Sequence, residues 1–146
     1  MYVAAHTALR HLLGACLQLP PDSVPLTRLP CPGCGGPHGR PAARPLDVDV
    51  ERVPEQRLVR DAARSLHPAE QAELARTAPE SRSAAFARCR TRKEAYLKAT
   101  GEGLSGAALR GAYVGCGRRP SGPPSWRVTD VDVPAGWIAA CAVAAD

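Results

Sequence analysis

Apolar side chains recur at helical spacing through Ala5, Leu9, Leu12, Leu13, Cys16 and Leu17, which predicts an amphipathic helix over 2–19 stopped by Pro20-Pro21. Residues 20–45 are rich in Pro and Gly and read as loop, with Val24-Pro25-Leu26 at most a short extended piece. The period then changes to two: Leu46, Val48 and Val50 alternate with Asp47, Asp49 and Glu51. That alternation predicts a strand with one apolar and one carboxylate face. From about 55 to 100 the helical period returns in three pieces: Glu55–Leu66, a second opened by Pro68 with Glu70 and Glu73 behind it, and a third over roughly 82–100. A loop at Ala78–Ser81 leads into the third, and Gly101-Glu102-Gly103 closes it. Two strands, Trp126–Val133 and Trp137–Ala144, follow around a hairpin-like Pro134-Ala135-Gly136 connection. This order predicts an α+β fold, with helices on one face of an antiparallel sheet. No repeat of solenoid period occurs.

Composition narrows the class. The 146 residues suit one domain or two small halves of one fold, and 45% apolar with 23% charged is a globular balance. Aromatics at 4% are too few for a base-stacking surface, which argues against nucleic acid. No apolar run reaches the roughly 18 residues of a membrane span, and Met1–Leu13 lacks a secretory pattern, so a cytoplasmic protein is expected. The net charge of +5 favours anionic partners. Of the 19 basic residues only Lys93 and Lys98 are lysines, which marks their segment for attention. Six cysteines stand at 16, 31, 34, 89, 116 and 141, expected as thiols in such a compartment.

Three segments could carry chemistry. Asp49 and Glu51 are two apart on a strand, so both carboxylates share a face and can reach one hard cation such as Mg²⁺; a solvated strand face is the alternative. Glu94 and Lys98 share a helix face beside Lys93, as a reactive cluster or as a surface ion pair. Cys31, Cys34 and His38 resemble three ligands of a zinc knuckle without an evident fourth. The same glycine-rich loop could instead bring His38 and Arg40 to an anion.

The run Phe86-Ala-Arg-Cys-Arg-Thr-Arg-Lys93-Glu94-Ala-Tyr-Leu-Lys98-Ala-Thr-Gly-Glu-Gly-Leu104 resembles the signature of surfactin-type 4′-phosphopantetheinyl transferases. Asp49-Val50-Glu51 is similar to the acidic strand motif that precedes it in that family. Cys31 to Pro41 resembles the Pro-His-Gly-Lys/Arg-Pro loop of the actinobacterial members, and the helix around Ala5-His6 to Arg10 also fits. The resemblance implies Mg²⁺-dependent transfer of 4′-phosphopantetheine from coenzyme A to a serine of an acyl or peptidyl carrier protein. It implies Asp49, Glu51 and Glu94 as metal ligands, Glu94 and Lys98 as catalytic groups, and Arg40, His38, Lys93 and Lys98 as contacts to coenzyme A. Carrier proteins are typically acidic, which a basic chain suits.

Departures from the pattern are equally specific. Only Pro41–Val48 separates Arg40 from Asp49, too short for the family's Ser-His-Ser strand, and no Ser-His occurs in the chain. The family's leading strand and basic segment are also missing, so residues 1–45 read as a reduced N-terminal lobe and 46–146 as the C-terminal lobe. Arg90 stands where the family usually has Trp, and is expected to turn outward or leave a packing fault. An impaired relative that only binds a carrier protein is therefore the alternative to an enzyme. A second copy of the chain is expected to cover the exposed sheet edge.

Overall fold

The computed structural model describes residues 2–24, 26–28, 31, 33–36, 41–42 and 46–145. Its elements are α1 (Tyr2–Leu17), β1 (Thr27–Arg28), β2 (Pro41–Ala42), β3 (Leu46–Arg52), α2 (Gln56–Ala62), α3 (Pro68–Arg76), α4 (Pro79–Thr100), α5 (Gly106–Gly111), β4 (Trp126–Val131) and β5 (Trp137–Ala144). The short β1 and β2 pair with each other. The larger sheet is antiparallel in the order β3-β5-β4. This is the expected α+β class.

Register explains how the sheet presents its chemistry. Val48 lies opposite Cys141, which in turn faces Thr129. Cys141 and Val143 form a small core with Val48, Val131 and Leu17 of α1. Asp49 lies opposite Ala140, and Ala140 opposite Asp130, so these residues belong to the other face, the one α4 covers. Helices therefore occupy both faces of the sheet, not one as the sequence predicts. The reason is visible in β5: Ala139 through Val143 are all buried, a continuous apolar run without the alternation of a half-exposed strand.

Helix α4 is the centre of the molecule. The sheet packs on one side of it, and the larger core of Val59, Leu66, Leu74, Ala85, Phe86, Cys89, Val114 and Cys116 on the other. Pro79 opens the helix at a position where a missing N–H costs nothing. Gly101 ends it in the left-handed region at φ 79°. Two contacts pin α4 to β4. The buried Arg92 guanidinium donates to both Asp130 oxygens at 2.6 Å and to the carbonyls of Gly115 and Gly117. Tyr96 meets Trp126 edge-on with ring centroids 5.7 Å apart.

Candidate active site

The acidic face of β3 and one stripe of α4 meet at a single cluster. Asp49 and Glu51 project from β3 toward α4, while Arg90, Glu94 and Lys98, each four residues apart, line the stripe opposite. Small side chains make the approach close: Ala140 and Ala142 on β5 are fully buried beneath the helix. One ligand atom from each of Asp49, Glu51 and Glu94 lies within 4.8 Å of the others.

Two cations face the three carboxylates. Lys98 Nζ donates to Asp49 Oδ1 at 2.5 Å and stands 3.6 Å from Glu94 Oε2. Arg90 Nε donates to Glu94 Oε1 at 2.8 Å and sits 3.1 Å from Glu51 Oε1. Burial pushes the Glu51 carboxyl above its ordinary pKa; Arg90 opposes that shift, while Glu94 and Asp49 reinforce it. For Lys98, burial alone would lower the pKa. Its bond to Asp49 and the fields of Asp49 and Glu94 outweigh that and hold the ammonium above its usual range.

The donor set fits a hard divalent cation. All three ligands are carboxylates, the chemistry of Mg²⁺ sites rather than of thiolate or imidazole metals. Asp49 is only 8% exposed, and its Oδ2 is buried without a hydrogen-bond donor. A buried carboxylate oxygen left bare costs free energy that a cation recovers.

A family model of the 4′-phosphopantetheinyl transferase superfamily matches residues 46–140, which is 95 of the 146 residues. The chain belongs to that superfamily. No curated protein matches it. The matched span of this superfamily member starts with β3 and ends inside β5, so it contains Asp49, Glu51, Arg90, Glu94 and Lys98 together with the strand beneath them.

The remaining candidates are placed differently. Lys93 is fully buried; its Nζ pairs with Glu70 at 2.7 Å and donates to the Ala112 carbonyl. Lys93 therefore does not join the acidic cluster: one residue along a helix turns a side chain by about 100°, away from the acidic stripe and into the α3 contact. His38 and Arg40 lie outside the described residues. Cys31 and Cys34 lie in a tight turn, with Cys31 N–H donating to the Gly36 carbonyl, Gly35 N–H donating to the Cys31 carbonyl, and Gly35 at φ 71°. Backbone N–H groups of Gly33 and Cys34, aimed at the Cys31 sulfur, lower that thiol's pKa. Among the described residues, only Asp49, Glu51 and Glu94 gather three side chains able to hold a metal.

Sequence reasoning missed Arg90 as part of the site. It turns outward as expected, but onto Glu51 and Glu94. The available signal was its spacing: four residues before Glu94, it completes the Arg90-Glu94-Lys98 stripe.

Proposed function

We propose that this chain transfers 4′-phosphopantetheine from coenzyme A to a carrier-protein serine, with Asp49, Glu51 and Glu94 holding Mg²⁺. The observation that carries this reading is the bare, buried Asp49 Oδ2 beside Glu51 and Glu94, inside the superfamily-matched span. Mg²⁺, when bound, neutralises charge on the diphosphate being cleaved. The serine oxygen attacks the phosphorus next to pantetheine, the diphosphate P–O bond breaks, and adenosine 3′,5′-bisphosphate leaves. Glu94 accepts the serine proton at Oε2, the oxygen that Arg90 leaves free of its hydrogen bond. Lys98 stays protonated and meets the phosphate oxygens, a charge held in place by Asp49. His38 and Arg40 are assigned to coenzyme A from the family resemblance, and residues 1–45 to an N-terminal lobe.

Intact-mass measurement of apo carrier proteins, incubated with coenzyme A, Mg²⁺ and the chain, tests the proposal. The expected result is a gain of one phosphopantetheinyl group, slowed by about 10²–10⁴-fold in Glu94→Gln. No gain across a broad carrier panel removes the transferase reading; carrier binding without gain leaves the binding-module alternative standing.

A further inference from the structure

The acidic cluster comes with a tenant. Three carboxylates facing Arg90 and Lys98 leave a local charge of about −1, and the two cations occupy it in different ways. Lys98 takes Asp49 Oδ1 and leaves Oδ2 bare. Arg90 takes Oε1 of both glutamates through a single atom, Nε, and its terminal amino groups donate no hydrogen bond among the described residues. A guanidinium shared between two of the three candidate ligands stands where a divalent cation would draw those oxygens together. With a metal present, Arg90 would face like charge at close range. It is also the easier of the two cations to move, because 45% of its side chain is exposed against 35% for Lys98.

We propose that Arg90 is an internal competitor for the divalent cation, holding Glu51 and Glu94 in the metal-free protein and passing to a phosphate of the co-substrate when the metal enters. This rests on the metal reading of the cluster given above. Arg is suited to the exchange, since its planar fork pairs carboxylate and phosphate oxygens alike. The consequence is coupling: the metal alone must displace Arg90 into water, whereas metal with a polyanionic ligand gives the released guanidinium a new partner. By linkage each ligand then strengthens the other's binding.

Mn²⁺ serves as the probe, with free ion counted by electron paramagnetic resonance in the absence and presence of coenzyme A. Arg90→Gln is expected to bind Mn²⁺ alone about five- to tenfold more tightly than the unmodified chain, and to lose most of the enhancement by coenzyme A. Arg90→Lys, which keeps the charge without the fork, should bind Mn²⁺ close to the unmodified chain but show weaker coupling. Arg119→Gln, on an exposed loop, controls for net charge and should change neither quantity. Equal Mn²⁺ affinity of the unmodified chain and Arg90→Gln overturns the role of Arg90 while leaving the metal site intact. Absence of Mn²⁺ binding in every protein, with or without coenzyme A, overturns the metal reading itself.

Discussion

Lys93 and Lys98 are five residues apart on one helix and end in opposite settings. Lys98 stands exposed at the edge of the acidic cluster, whereas Lys93 is sealed against Glu70, which also accepts from the backbone N–H groups of Val114 and His67. Glu70 thus ties α3, α4 and the segment after α5 together, a structural task for a charge pair. Removing one partner leaves the other charged and alone, so Lys93→Met should cost about 3–5 kcal/mol in urea denaturation. Adding Glu70→Leu should recover part of that, though not all, because the Val114 and His67 donors lose their acceptor. The sequence placed Lys98 on the Glu94 face and Lys93 beside it, but only the packing of α3 shows that Lys93 is spent on stability. The acid pair, by contrast, was legible because strand alternation alone puts Asp49 and Glu51 on one face.

At the scale of elements, pattern reading found every major helix and strand. It set α4 to begin near residue 82 when it begins at Pro79, and it missed α5, whose Gly106–Gly111 span is six residues with a glycine at each end. It also put all helices on one face, since the run of alanines in β5 is neutral as to side. Those alanines matter for the site. Ala140, opposite Asp49, is fully buried under α4, so Ala140→Leu would force helix and sheet apart where Glu94 must reach the β3 acids. We expect a loss of about 1–3 kcal/mol in stability. A weaker response to Mn²⁺ in a melting experiment should accompany it, beyond what the stability loss alone brings.

For the molecule as a whole, the sheet ends on β3, which pairs only with β5 among the described residues and exposes Val50 beside the acids. A seven-residue strand at the edge of a sheet is a surface on which another strand can pair. A second copy along that edge is our expectation, checked by size-exclusion chromatography with light scattering at micromolar concentration. A particle of two or more chains supports it, and a 15.4 kDa species throughout the range refutes it. No helix among the described residues is long and apolar enough to cross a membrane.

Asp49, Glu51, Arg90, Glu94 and Lys98 all fall inside one uninterrupted stretch of chain, carried by a strand and a helix that share β5 as their floor. The candidate site is thereby assembled from one contiguous part of the fold. Changes before Leu46 should therefore leave the spacing of these five charges intact, provided Leu17 keeps its place against Cys141 and Val143.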